Sequence, residues 1–341
     1  MTTRPILGVT MGDPSGAGPE IVTKAWADER IRSVARLVLI GDADCMAQAF
    51  RITGVPGRTH AVKSVAEGRF ADDALDVLDL SNVDVEKLEF AKVQALAGKA
   101  AYEAVVKAIE LAMAGEIEAM VTSALNKEAL NMAGYHYDGH TGLLAEMTGA
   151  RSVTMMLVAG DFRVTHVSTH CSLREAVDLV KRDRVLEVIR LTHAALKQMG
   201  IEEPRLAVAG LNPHSGEGGL FGKEEILEIS PAVEAAIAEG MNVYPVPVAP
   251  DTAFYRMSSR HQFDAVVAMY HDQGHIPTKV LSFSEGVNVT LGLPIIRTSV
   301  DHGTVFGKAG KGTADATSLK RAIEVAVSLC RERPMRAIPS P

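Results

Sequence analysis

The segment AMYHDQGHIPTK, residues 268–279, packs His271, Asp272, His275 and Lys279 into nine residues directly after the run FDAVV. Such a run reads as a buried strand of an α/β sheet, and open α/β sheets bind ligands beyond the carboxyl ends of their strands, so His271 falls where a site belongs. Two more histidines share that setting: His170 follows RVTHV in STHCSLRE, and His214 follows LAVAG in LNPHSGEGGLFGKEE. Neutral imidazole is the commonest protein ligand for zinc, cobalt and similar divalent ions, and three such ligands leave coordination positions open for a substrate. Ligands gathered from separate strands leave no local spacing of the HExxH kind. With eleven histidines in the chain, the competing reading of each is a hydrogen-bonded loop residue.

Other polar clusters gather between the apolar runs. GYHYDGHTG, residues 134–142, leads into the helical pattern Leu143 to Met147, which puts His140 and Thr141 near a helix start, able to donate to an anion or simply to cap the helix. Lys279, Asn288 and Arg297 recur at intervals of nine, which suits donors converging on a phosphate from neighbouring elements; for each alone the alternative is a solvated surface. GDPSGAGPE, Gly12 to Glu20, joins a strand to a helix through three glycines and two prolines. Its backbone donors suit a phosphate or carboxylate at the helix N-terminus, but it is neither GxGxxG nor a P-loop, and a tight βα turn without a ligand explains it equally well.

These residues need elements to hold them. Candidate strands run over Ile6 to Met11, Arg36 to Ile40, Leu75 to Leu80, Ala119 to Thr122, Val153 to Val158, Val164 to Val167, Arg205 to Ala209, Val243 to Val246, Ala265 to Met269 and Val287 to Thr290. Between them Gly98 to Gly115, Leu173 to Gly200 and Leu319 to Arg333 carry a helical period. The alternation predicts α/β layers, and 341 residues, 47% of them hydrophobic, suit two domains better than one. A net charge of -7 argues against nucleic acid or an anionic membrane as the main partner and leaves small anionic ligands open. Cys45, Cys171 and Cys330 have no CxxC spacing, which fits a reduced cytoplasm. The first apolar run is too short for a signal peptide, and no stretch approaches the roughly 18 apolar residues of a spanning helix, so a soluble protein is expected.

Eight segments, GDPSGAGPE, TSALNKEAL, YDGHTG, STHCSLRE, NPHSGEGGLFGKEE, PDTAFYR, AMYHDQGHIPTK and VNVTLGLPIIRTSVDHGTVFGKAGKG, follow one another across residues 12–312. They resemble the successive signature segments of the 4-hydroxythreonine-4-phosphate dehydrogenase family, and MYHDQGHIP and LNKEAL resemble the branch that acts on D-threonate or D-erythronate 4-phosphate. The resemblance implies metal-dependent oxidation of a secondary alcohol by NAD or NADP, followed by loss of carbon dioxide, on a 4-phosphorylated hydroxy acid. It also implies a fold like isocitrate and isopropylmalate dehydrogenases, with two α/β/α domains and a cleft between them. Residues 1–125 with 290–341 would carry much of the coenzyme site, and residues 126–289 the metal and substrate ligands and the dimer contact.

Carried over residue by residue, a divalent metal (Zn, Mg, Mn or Co) falls to His170, His214 and His271. Substrate contacts fall to His140, Thr141, Lys279, Asn288 and Arg297, and coenzyme contacts to His302, Gly303, Thr304 and Lys308. One metal-binding histidine of the family comes from the partner subunit, which implies a homodimer with a shared active site. In this reading Asp251 and Asp272 are candidates for orienting a ligand or handling a proton. Lys279 follows a turn at Gly274 to Pro277, and His275 supports its neighbours or tunes specificity.

Two departures from the family pattern bear on specificity. GHTG stands where GHTE is usual, which removes a carboxylate at Gly142, and DHGTVFGKAGKG stands where DHGTAFDIAGKG is usual. In wider relatives the acid at the position of Gly307 holds the ribose hydroxyls of NAD, whereas a lysine favours the 2′-phosphate of NADP; its loss, with Lys308 one residue later, points to NADP or to relaxed coenzyme choice. Two alternatives stand beside the main reading. One is a dehydrogenase of a non-phosphorylated carboxylate such as an aromatic cis-dihydrodiol, against which Lys279 and Arg297 argue. The other is a non-catalytic binding protein on the same fold, against which the retained histidines argue.

Overall fold

ILGVT, RLVLIG, ALDVLD and AMVT are apolar almost throughout, and each forms a strand buried along nearly its whole length, as such runs do in a parallel sheet covered by helices. The computed structural model describes residues 4–137, 139–282 and 285–331. The chain divides into two units, Met1–Val153 with Leu293–Pro341, and Thr154–Gly292. The first unit therefore includes residues 126–153 and with them His140 and Thr141.

In the first unit β1 (Ile6–Thr10), β2 (Arg36–Gly41), β3 (Arg58–Val62), β4 (Ala74–Asp79), β5 (Ala119–Thr122) and β11 (Ile296–Val300) form a parallel sheet in the order β3-β4-β2-β1-β5-β11. From β1 the chain builds outward through β2 to one edge and then returns to the other side through β5. A reversal of this kind opens a crevice beyond the carboxyl ends of the strands, where ligands bind in α/β sheets. The segments leaving β1, β5 and β11 all emerge at that end. The helix Ala95–Ala114 lays Ala104, Val105, Ala108 and Ile109 in one cluster with Val38, Ile40 and Met120.

Two of these strands lack the apolar run that marks the others. β3 is half exposed along most of its length, and β11 has Arg297 as its second residue. The helical period from Leu319 is confirmed as Thr317–Arg331, beyond which residues 332–333 lie outside the described residues.

The second unit contains β6 (Thr154–Ala159), β7 (Phe162–His166), β8 (Leu206–Val208), β9 (Ala265–Ala268) and β10 (Val287–Leu291) in the order β10-β6-β7-β9-β8. β10 and β7 run antiparallel to β6, whereas β7, β9 and β8 run parallel. The expected strand over Val243 to Val246 does not form. Val243 makes a single bridge to Leu206 and Val248 another to Ala209, because Pro245 and Pro247 have no N–H to offer a ladder. The expected helix from Leu173 to Gly200 is two, Leu173–Leu179 and Arg182–Gln198, separated by the buried Val180. Glu228 accepts from the N–H of Arg182 at 2.8 Å and so serves the start of the second.

The turn expected at Gly274 to Pro277 is instead part of the helix His271–Leu281, which carries Pro277 inside it and Lys279 in its last turn. Gly274 lies where this helix crosses β7, and a Cβ there would overlap the imidazole of His166. Its glycine thus marks a close crossing rather than a turn. Among the described residues no helix is long and apolar enough to cross a membrane.

Gly98 offers a test of the packing in the first unit. Alanine normally stabilises a helix interior by about 1 kcal/mol over glycine, but a Cβ at Gly98 would overlap the carbonyl group of Ala129 in the helix Lys127–Met132. Gly98→Ala is expected to destabilise by about 1–3 kcal/mol in chemical denaturation; a gain in stability would mean that the two helices do not approach this closely.

Candidate functional site

β7, β9 and β8 are parallel neighbours, so the segments that leave them emerge at one end of the sheet, and these segments carry His170, His271 and His214. Side chains sew the three exits together. Ser168 donates from both its N–H and its hydroxyl to the carbonyl of Met269, at 3.2 and 3.0 Å. Gln273, buried, accepts from the N–H of Met269 at 2.6 Å and donates to the carbonyl of Gly210 at 2.8 Å. Neither residue stood out in the sequence, because a serine or glutamine beside histidines looks like ordinary loop polarity.

The rings of His170 and His271 lie 5.9 Å apart between centroids. Asp272 Oδ1 is 2.6 Å from His271 Nδ1. A carboxylate at that distance accepts, so Nδ1 carries the proton and Nε2 keeps the lone pair a metal would use. His275, one turn along, stacks on the His271 ring at 3.6 Å with 9° between the planes. Its Nδ1 lies 3.0 Å from the His271 carbonyl. Beyond it His166 sits at 4.8 Å, its pKa pushed down to about 3 by burial and then by the neighbouring His275, which keeps it neutral.

His214 enters a left-handed stretch with φ of 52°, followed by Ser215 at 54° and Glu217 at 43°. Non-glycine residues hold this conformation only where their surroundings impose it. Here the turn is tied to the buried carboxylate of Glu225, whose Oε1 accepts from the N–H groups of Leu211 and Asn212 at 2.8 and 2.7 Å. Oε2 accepts from Asn212 Nδ2 at 3.0 Å, and the same amide donates to Glu224 at 2.7 Å. The two acids of GKEE thus anchor the loop that presents His214.

Among the described residues of one chain, no three His, Cys, Asp or Glu side chains form a group able to hold a metal. A single chain brings His170 and His271 near each other without closing the set. Asp251 stands exposed in the first turn of the helix Pro250–Ser258. Lys279 is half-buried. Asn288, on β10, places Nδ2 2.7 Å from Met155 Sδ, and its Oδ1 is buried with no hydrogen-bond partner among the described residues.

In the first unit Arg297 is 2% exposed and donates from Nη2 to Thr122 Oγ1 at 2.7 Å. Burial pushes the guanidinium pKa down to about 9. His140 opens the helix His140–Thr148, and burial together with the Arg297 charge holds it well below the usual imidazole range, hence neutral. Its Nε2 is buried without a hydrogen-bond partner among the described residues. The covered Nε2 of His140, close to the Arg297 guanidinium, is a polar atom that a ligand group could meet. Thr141 beside it is exposed. Tyr135 stacks on Tyr102 at 3.7 Å, which steadies the segment before His140; Asp138 lies outside the described residues.

His302, Gly303 and Thr304 line a narrow crevice with Gly18, Ser123 and Val300 at the exits of β1, β5 and β11. His302 Nε2 and Ser123 Oγ are both buried without a hydrogen-bond partner among the described residues. Lys308 is exposed, and so is Gly307, where a Cβ would meet nothing within 4 Å. GDPSGAGPE does form a tight βα turn. Four of its N–H groups are engaged within the protein: Asp13 to the Ala124 carbonyl, Ser15 to the Asp13 carboxylate, Gly16 to the Asp13 carbonyl and Ala17 to the Thr304 carbonyl, all between 2.8 and 3.1 Å. These four amides have no role left as an anion cradle.

Residues 33–326 match the family described as pyridoxal phosphate biosynthetic protein PdxA. The chain is 46% identical over 331 residues to D-threonate 4-phosphate dehydrogenase of Cupriavidus necator, a match that covers 96% of this chain and 98% of that protein. It is similar to the solved structure of 4-hydroxythreonine-4-phosphate dehydrogenase from Klebsiella pneumoniae, with a TM-score of 0.86, 41% identity and coverage of 96% and 100%. A terephthalate 1,2-cis-dihydrodiol dehydrogenase from Burkholderia xenovorans is further away, with a TM-score of 0.69 and 30% identity over 95% and 98% of the two chains. With the family match spanning most of the sequence and the first of these relatives nearly half identical along its length, the chain belongs to the PdxA family.

Proposed function

We propose that this chain is a decarboxylating dehydrogenase that oxidises a 4-phosphorylated hydroxy acid with NAD or NADP and a divalent metal. D-Threonate 4-phosphate is the substrate best supported, with D-erythronate 4-phosphate and 4-phosphohydroxy-L-threonine as its competitors. The observation that carries this reading is the buried Arg297 guanidinium near neutral His140, in a chain 46% identical to a D-threonate 4-phosphate dehydrogenase. The planar fork of a guanidinium matches a phosphate, which can accept two parallel bonds from it. We assign Thr141, Lys279 and Asn288 as further donors to the same substrate.

His170, His214 and His271 are the proposed metal ligands. A divalent ion there, Zn, Mg, Mn or Co, would supply Lewis acidity that lowers the pKa of the substrate hydroxyl and steadies the negative charge left when carbon dioxide departs. The chain's own share is geometric. Asp272 fixes the His271 tautomer, His275 holds the ring face, and Glu225 holds the turn that presents His214. Asp251 is the carboxylate to test for proton handling. His302, Gly303, Thr304 and Lys308 are the proposed coenzyme contacts, and the open space at Gly307 with Lys308 beside it supports NADP or relaxed choice. A cytoplasmic setting with reduced cysteines goes with this chemistry.

A homodimer completes the proposal, with one metal ligand of each site supplied by the partner subunit. Its support is the distribution of exposed apolar side chains. Leu173, Leu220, Leu227 and Val280 all belong to the second unit, Val280 at 80% exposure, and among the described residues the first unit exposes only Met113 and Met132 of this kind. Such an excess of exposed apolar side chains in one unit is what an interaction surface would bury. Sedimentation is expected to show a dimer, and Val280→Asp is expected to yield monomers with loss of metal-dependent turnover. A native monomer with full activity would contradict the shared site.

The main reading is tested by coenzyme reduction with D-threonate 4-phosphate, with and without added metal. Turnover should vanish with a chelator, return with a divalent ion, and run at least as well with NADP as with NAD; a strong preference for NAD would remove the coenzyme reading. Arg297→Ala is expected to lower kcat/KM on the phosphorylated acid by about a hundredfold, the size of a lost charge-assisted bond of about 3 kcal/mol. Activity on an aromatic cis-dihydrodiol carboxylate, indifferent to Arg297→Ala, would favour the alternative suggested by the 30% identical relative.

A further inference from the structure

Four amides of GDPSGAGPE are engaged within the protein, and its last residue has a further task. Glu20 lies in the first turn of the helix Gly18–Ala27 and is 2% exposed. Its carboxylate accepts from two backbone N–H groups of a distant segment, Gly310 at 2.6 Å and Gly312 at 2.7 Å. One turn further on, Lys24 Nζ donates to the carbonyls of Gly312 and Ala314, both at 2.7 Å. Gly312 is therefore held at both its N–H and its C=O, by groups of opposite charge four residues apart on one helix. At the near end, the Ala17 N–H donates to the Thr304 carbonyl at 2.9 Å.

The stretch between these attachments, residues 305–309, contains the short turn Phe306–Lys308 and the exposed Gly307 and Lys308. We infer that Glu20 and Lys24 are positioning residues for the coenzyme. They act as a clasp that sets the segment running from His302 to Lys308 against the crevice lined by Gly18 and Ser123. The inference rests on the reading of His302, Gly303, Thr304 and Lys308 as coenzyme contacts. Neither clasp residue needs to touch the coenzyme. Bonds between charged side chains and backbone groups are roughly twice as strong as neutral ones and are directional, so they fix the loop more narrowly than apolar packing would.

The test uses the full-length protein with its metal, and reads coenzyme binding directly by the fluorescence of the reduced coenzyme. Lys24→Met keeps the length of the side chain and releases the two carbonyls. Glu20→Gln keeps the shape but turns an NH2 group toward one of the two N–H groups. Both variants are expected to raise the Kd and KM of the coenzyme on the order of tenfold, with much smaller changes in the KM of the hydroxy acid and in metal affinity. A merely structural role would lower the melting temperature and the active fraction without moving the Kd of the folded protein, and that result would overturn the proposal. His302→Ala separates the two levels. If it weakens coenzyme binding and both clasp variants do not, the clasp is wrong while the coenzyme segment stands. If none of the three changes the Kd, the coenzyme segment itself is misassigned and the clasp falls with it.

Discussion

Parallel neighbours in a sheet must end on the same side, and that constraint decides where the chemistry of the second unit gathers. β7, β9 and β8 are such neighbours, so the loops that leave them cannot be far apart, and His170, His271 and His214 each follow one of these strands. The ladder alone does not fix the loops. Ser168, reaching the carbonyl of Met269, and Gln273, bonded to Met269 and Gly210, extend the alignment past the last ladder bond. Local devices then set each ring. Asp272 and His275 set His271, and the Glu225 carboxylate holds the left-handed turn of His214. The strain of that turn is tolerable because two backbone N–H groups and a side-chain amide converge on one buried carboxylate, which would otherwise be costly to bury.

The first unit follows the same logic with different chemistry. Its strand order reverses beside β1, so the exits of β1, β5 and β11 surround one crevice. Arg297 is a cation removed from water with an imidazole kept neutral nearby, an arrangement suited to an incoming anion. The loop after β11 owes its position to the helix that follows β1, through Ala17, Glu20 and Lys24. Arg297 and the loop from His302 to Lys308 are thus both held by the strands of one parallel sheet and the helix that follows β1.

Much of this was legible in the sequence, for identifiable reasons. Buried parallel strands such as RLVLIG and AMVT announce themselves by unbroken apolar character, and the histidines after three such runs mark a common end. The failures have equally physical causes. YPVPV has β-forming residues, but its prolines cannot join a ladder. In HDQGHIPTK the glycine and proline suggested a turn, yet Gly274 is needed for a close crossing over His166 within a helix. β11 was hidden by Arg297, a charged residue in a strand buried on both faces. Gln273, Glu225 and Glu20 escaped notice because their partners are backbone groups distant in sequence or beyond an irregular turn, and no spacing rule reveals such bonds.

The parallel exits of β7, β9 and β8 lead to the proposal that His170, His214 and His271 hold one metal ion in a dimer. Crystals of the protein grown with zinc, measured with anomalous scattering at the zinc edge, test it most directly. One strong peak per subunit is expected, bonded to the imidazole nitrogens of these three histidines at about 2.0–2.1 Å, with at least one of the three belonging to the partner subunit. A peak coordinated by other residues, or a site completed by one chain alone, would contradict it.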